Sequence, residues 1–325
     1  MKKLINSKMF LFLVVATFVF SSLAVSGVAH AQVEHISFAG SNPGGLMYYL
    51  VGVAGDIFTR ESDTYNVTQV STGGSTENTL RLMDGSADMG ISYDAHMFLG
   101  IQGEEAPFDQ GGGENINVMA KIYDGMSKIV VRADSDIQEM EDLRGKTVAL
   151  GPPGSGTVWN ARNILDALGI LEDVDVEMLS FDDAGRAVQD GHIDAFSQSS
   201  APAASVTELN ETVGARVISL TQEEMDMVSE KYPFYYGDYM SGDYYPGIDE
   251  AFVPHFDVSW GVNADVSEDA VYEILSLAYK HHDELVDGNV AWSGLTPSVQ
   301  VFIDLGIPIH PGAERYYREQ GVWPE

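Results

Sequence analysis

The stretch best equipped for chemistry is Gly151-Pro152-Pro153-Gly154-Ser155-Gly156-Thr157. Before it, Thr147-Val148-Ala149-Leu150 is short, apolar and partly β-branched, which predicts a buried strand. After it, Val158, Ala161, Leu165 and Leu168 recur at helical spacing, and Gly169 stands where a helix would stop. Strand, glycine loop and helix in that order aim backbone N–H groups and the positive end of a helix dipole at one point, which suits an anion. A nucleotide P-loop needs a lysine directly after its last glycine, and here Gly156 is followed by Thr157 and Val158. A small carboxylate is the guest this loop predicts. A plain Pro/Gly turn with Ser155 as an ordinary helix cap is the competing reading.

The elements that must position this loop begin after an export segment. Lys2 and Lys3 precede an almost wholly apolar run from Met9 to Phe20, and Ala29-His30-Ala31 is an A-x-A cleavage signal. Residues 1–31 are therefore expected to be a signal peptide cut after Ala31, delivering the chain to the periplasm. A membrane anchor is the alternative, but the apolar run is short for one. There is no cysteine, which removes a lipoprotein anchor, disulfides and thiol chemistry together.

Acids dominate the chain, with 49 Asp and Glu against 17 Lys and Arg and a net charge of −32. Loss of Lys2, Lys3 and Lys8 with the leader would bring the exported protein near −35. That charge excludes nucleic acid as a partner. The acids are scattered and the aromatic content is ordinary, so a folded protein solvated for high salt is expected. One acidic patch for a cation or a partner is the alternative.

The mature chain opens with the same grammar. Ile36 to Ala39 reads as a strand, Gly40 to Gly45 as a loop, and Leu46, Leu50, Val53, Ile57 and Phe58 as the apolar face of a helix. Val67 to Val70 is a second strand running into Ser71-Thr72-Gly73-Gly74-Ser75, where a helix capped by Ser75 or Thr76 should start and then end at Gly85. A third strand, Ala87 to Ser92, delivers Tyr93 and Asp94 to its carboxyl end. The run Asp84-Gly85-Ser86-Ala87-Asp88 then recurs as Asp190-Gly191-His192-Ile193-Asp194, each time after a helix and before a strand ending in serine. Two α/β lobes of similar plan, with ligand bound beyond the carboxyl ends of their strands, are predicted. Their expected extents are 32–131 with 255–325 for the first lobe and 132–254 for the second, with a helix over Ile137–Leu143.

With those motifs in place, the chain resembles the TAXI family of solute receptors for TRAP transporters. The matching pieces are Gly44-Gly45 with Tyr48-Tyr49, Ser71-Thr72-Gly73-Gly74-Ser75 with Glu77-Asn78, and Asp84-Gly85 with Ala87-Asp88. Further matches are Val130 to Ser135, Asp142-Leu143-Arg144-Gly145-Lys146, the 151–157 loop, and His310 to Tyr317. The resemblance implies a two-lobed periplasmic binding protein of type II-like α/β fold, a monomer without cofactor or metal. It would close on a dicarboxylate or acidic amino acid, such as glutamate or 2-oxoglutarate, and hand it to a TRAP permease driven by an ion gradient. Carried over by position, Ser41, Gly45, Tyr48, Gly73, Gly74, Ser75, Asn78, Tyr93, Asp94, Ser155, Gly156, Thr157 and Gln198 would line the cleft. The sequence departs from the family's pattern at Ser41-Asn42-Pro43, Leu46-Met47 and Ser197 to Ser200, which leaves the substrate open.

These residue types bind rather than react. Amides, hydroxyls and carboxamides recognise carboxylates at about 0.5–1.5 kcal/mol per hydrogen bond, roughly double with a charged acceptor. Tyr48 and Tyr93 could equally be core residues, and Asp94 either an ammonium acceptor or a helix cap. Arg81 and Arg162, in expected helices, are not assigned the carboxylate. No G-x-S-x-G, H-E-x-x-H or P-loop lysine occurs. His281 and His282 read as a solvated helix end, and paired acids at this acid content are expected by chance. An enzyme acting on a small carboxylate is thus the weaker alternative. An ABC-importer receptor of the same fold is the nearer one.

Overall fold

A computed structural model describes residues 33–43 and 45–324. The expected export segment and its cleavage site lie outside the described residues, as does Gly44.

The first lobe starts β1 (Glu34–Ala39), α1 (Leu46–Glu61), β2 (Tyr65–Val70), α2 (Ser75–Asp84), β3 (Met89–Tyr93) and α3 (Asp94–Gln102). β1 pairs in parallel with both β2 and β3, as a β-α-β-α-β unit of half-buried helices requires. After the 103–112 loop, β4 (Ile116–Met126) leads straight into β5 (Lys128–Arg132) of the second sheet. There β6 (Thr147–Ala149), α4 (Gly156–Ala167), β7 (Asp175–Glu177), α5 (Phe181–Gln189) and β8 (Ala195–Gln198) follow, with α6 (Ala204–Thr212) and β9 (Ala215–Val217) behind them. β6 pairs in parallel with β7 and β8, and β8 is flanked by antiparallel β5. The chain returns through α7 (Gln222–Lys231), β10 (Tyr236–Met240) and the long β11 (Ala251–Asn263), which lies antiparallel to β3 and β4. It closes with α8 (Glu268–Lys280), α9 (His282–Gly288), α10 (Gln300–Leu305) and α11 (Pro311–Glu319).

The two lobes therefore repeat one plan, β1-α1-β2-α2-β3 in the first and β6-α4-β7-α5-β8 in the second. The short D-G-x-x-D repeat marks its register. Gly85 and Gly191 end their helices and turns at the same φ of 72°, a left-handed conformation that favours glycine. The aspartates that follow do the same job in each lobe. Asp88 accepts from the amide and hydroxyl of Ser37 on β1, and Asp194 accepts from the Thr147 amide on β6.

Core packing is dense around Trp260 of β11, which stacks on Phe38 and Phe58 at 4.9 and 5.6 Å. The sheets change hands at Ser127, four residues before the expected lobe boundary. β10 and the start of β11 belong to the first sheet by hydrogen bonding. Met240, Ala251 and Val253 nevertheless pack with Val130 and Phe196 of the second lobe, so β4 and β11 run from one lobe's core into the other's. Two local expectations are corrected. The helix expected over Ile137–Leu143 is only a 3-10 turn, Met140–Leu143, because Gly145 at φ 72° ends it at once. The cap of α2 is Gly74 at φ 126°, not Ser75 or Thr76, and Ser75 is already helical.

Candidate functional site

Four helices of the repeated units begin at one place. Gly45 precedes α1, Gly74 precedes α2, Ser155 caps α4 and Ser180 caps α5. The carboxyl ends of β1, β2, β6 and β7 feed those helices, so the topology itself points four N-termini at the seam between the lobes. Their first residues line one cavity, together with Ser41, Leu46, Met47, Gly73, Tyr93, Thr157 and Ser200. A helix N-terminus carries roughly half a positive charge, so their convergence favours an anion, while the chain's own Glu77 already accepts from the Gly73 amide and Asp182 and Asp183 stand in the first turn of α5. No lysine or arginine lines the cavity.

The lobes are closed on one another. The Glu77 amide of the first lobe donates to the Gly154 carbonyl of the second at 3.3 Å. Trp159 of α4 stands edge-on to His96 of α3 at 4.7 Å. A volume of about 30 Å³ is left, the share of one water in the liquid. A ligand larger than a water fits only if the lobes part, and the paired strands β4 and β11 are what connects them.

Hydroxyls crowd the seam. The Tyr93 phenol is buried, which raises its pKa to about 12, and the hydroxyls of Ser199, Thr157 and Ser75 beside it offset part of that cost. It is a neutral donor. Ser75 Oγ also lies 3.1 Å from His96 Nδ1. His96 is fully buried, and desolvation lowers its pKa to about 3, so it is a neutral ring. Among the described residues its Nε2 has no partner and no carboxylate orients it.

Of the thirteen residues expected to line the cleft, the structure brings nine to the cavity: Ser41, Gly45, Gly73, Gly74, Ser75, Tyr93, Ser155, Gly156 and Thr157. Four lie elsewhere. Tyr48 turns its half-buried ring to the exposed Tyr49, while its carbonyl accepts from Gln69. Asn78 is spent on scaffolding, donating to the carbonyls of Gly40 and Ile91 and accepting from Thr72. Gln198 accepts from the amides of Ser199 and Ser200 and so shapes the turn that reaches the cavity. Asp94 starts α3 but faces β11, where burial raises its pKa to about 7 and Ser259 stands near without closing an ordinary hydrogen bond. It cannot receive a ligand's ammonium group from there.

Leu46, Met47, Phe181 and Ser200 complete the wall. Phe181 was findable, because the D-G-x-x-D repeat aligns α5 with α2 and puts Ser180-Phe181 where Gly74-Ser75 stand. Leu46, Met47 and Ser200 fall in the stretches where the sequence departs from the family's pattern.

A family model described as NMT1-like matches residues 39–321, most of the chain. The chain belongs to the NMT1-like family. Among solved structures, the fold of this NMT1-like protein is similar to that of a putative L-cystine ABC transporter protein from Listeria monocytogenes. That match has 13% identity and a TM-score of 0.50, over 81% of this chain and 97% of that one. A structure from work on glutathione import through the cystine ABC importer of Streptococcus mutans matches with 14% identity and a TM-score of 0.50, over 81% and 97%. The fold is thus the two-sheet α/β architecture of periplasmic binding proteins, as the sequence predicts.

Proposed function

We propose that this NMT1-like protein is an exported solute receptor that closes on a small organic anion, a dicarboxylate or acidic amino acid such as glutamate or 2-oxoglutarate. The observation that carries the reading is the convergence of four helix N-termini and a set of neutral hydroxyl donors on one seam between the two lobes. It acts by binding alone, as a monomer in the periplasm. The Ser75–His96 pair has the parts of a nucleophile and a base but lacks the acid that would orient the ring. Delivery to a TRAP permease is supported by the motifs spread along the mature chain. Delivery to an ABC importer is the second reading, favoured by the two similar structures, which come from ABC transport systems.

A thermal-shift screen of carboxylates and amino acids tests the reading, since a ligand that binds only the native state raises the melting temperature. Recovery of each hit unchanged after incubation is expected. Turnover would make the protein an enzyme. Uptake of the labelled hit by cells that depend on this receptor separates the permeases: collapse of the ion gradient stops a TRAP system, whereas ATP depletion with the gradient held stops an ABC importer.

A further inference from the structure

Lys128 opens β5 at the point where the chain passes between the lobes, and it is only 2% exposed. Its Nζ donates to one group, the carbonyl of Ser200. Among the described residues no carboxylate pairs with it. It shares a small pocket with Ile164 and Leu165 of α4, Met140, Leu220 and Pro254, and it is close enough to His255 of β11 to act on that ring's charge. That histidine is itself buried and held toward its neutral form. A buried ammonium with a single neutral partner is costly, and native proteins pair such charges.

Ser200 is also part of the cavity wall. The Ser199–Ser200 turn is held from behind by Gln198, by the Met126 amide and by Lys128, while its front faces the helix N-termini. We propose that Lys128 is the counter-charge of the bound anion, placed one residue behind the wall, so that the ligand rather than the protein completes its ion pair. This rests on the anion-receptor reading above and deepens it. A protein carrying a net charge of −32 repels anions overall, and a buried cation behind a wall without lysine or arginine adds to the local attraction of the helix N-termini. Burial also lowers the Lys128 pKa to about 7, so an arriving anion finds a group poised to take up a proton.

The test uses the mature protein and three probes, L-glutamate, 2-oxoglutarate and the net-neutral zwitterion L-glutamine, titrated by calorimetry into wild type, Lys128→Met and Lys128→Arg. Lys128→Met should weaken the two anionic probes about ten- to thirty-fold and glutamine less, because in the zwitterion the ammonium's gain offsets part of the carboxylate's loss. Its melting temperature without ligand should hold or rise, since a buried charge has gone. Lys128→Arg, which keeps the charge, should recover affinity for the anionic probes. Equal losses on all three probes, or unchanged affinity, would make Lys128 a mere staple of the Ser200 turn and overturn the inference alone. If Lys128→Met unfolds, Lys128→Gln keeps a neutral donor and carries the same comparison. Failure of wild type to bind any of the three overturns the ligand class itself, and the inference with it.

Discussion

Gly156 and Ser75 meet across the seam so closely that a β-carbon on Gly156 would sit 2.1 Å from Ser75 Oγ, and 2.2 Å from a ring carbon of Tyr93. The two residues belong to different lobes. Glycine at this position is therefore a condition of closure and not of the α4 helix, which any small residue would serve as well.

Gly156→Ala separates those roles. Alanine favours a helix by up to about 1 kcal/mol over glycine, so the melting temperature should hold or rise. The clash should prop the lobes apart, enlarging the radius of gyration in small-angle scattering and weakening the best ligand at least about ten-fold. A variant that binds and scatters like wild type would show that ligand-bound lobes stop short of this contact.

Asp94 predicts a pH effect of definite sign. Its folded pKa is raised to about 7 from an ordinary 3.8. The folded state thus holds its proton more tightly, and the stability tied to that proton is full below the unfolded pKa and lost as pH rises through about 7. Asp94→Asn should gain on wild type in melting temperature between pH 5 and pH 8. His96 works in the opposite sense, because its folded pKa lies below that of the unfolded chain, so the difference between the two proteins is the quantity to read. A constant difference across that range would mean Asp94 ionises as freely as an exposed acid.

Much of this architecture was legible because each lobe is written in short local signals. Glycine loops follow apolar strands, and Asp84-Gly85 and Asp190-Gly191 mark equal positions in both units. What escaped was side-chain direction. Asn78 and Gln198 sit beside the cavity in the chain, yet their carboxamides were taken by backbone groups, which no spacing rule reveals. Asp94 follows Tyr93 directly, but Tyr93 ends β3 in an extended conformation and Asp94 opens α3, so one reached the seam and the other β11. Lys128 was hidden for a different reason. A lysine inside an apolar strand reads as an edge, and only the path from β4 to β5 shows it buried behind the Ser200 turn.

Salt should stabilise the fold. The net charge of −32 is offset at the surface by pairs such as Lys231–Asp166 at 2.7 Å and Arg318–Glu314 at 2.7 Å. Exposed pairs of this kind contribute little, so self-repulsion remains. Raising NaCl from about 0.05 M to about 1 M, which shortens the screening length from over 10 Å to about 3 Å, should raise the melting temperature. A flat or falling response would detach the acidity from any high-salt habitat.

Ser155 decides what the 151–157 loop is for. Its Oγ accepts from the Val158 amide at 3.4 Å, a long bond for a helix cap, and the same residue lines the cavity. If capping is its whole role, Ser155→Ala costs up to about 1 kcal/mol of stability and leaves affinity nearly unchanged. If its hydroxyl donates to the anion, the variant keeps most of its stability, because the cap was weak. Its affinity then falls roughly ten- to a hundred-fold, the loss of one hydrogen bond to a charged acceptor. We expect the second pattern, measured as melting by circular dichroism and binding by calorimetry on one preparation. Gly73 makes the expectation sharper, since a β-carbon there would lie 2.6 Å from the Pro153 carbonyl. The loop is thus pressed against the first lobe by backbone as well as by side chains, and an anion held at Ser155 would touch both lobes at once. Lost stability with intact affinity would return this loop to an ordinary turn and move the anion to the α1 and α2 N-termini.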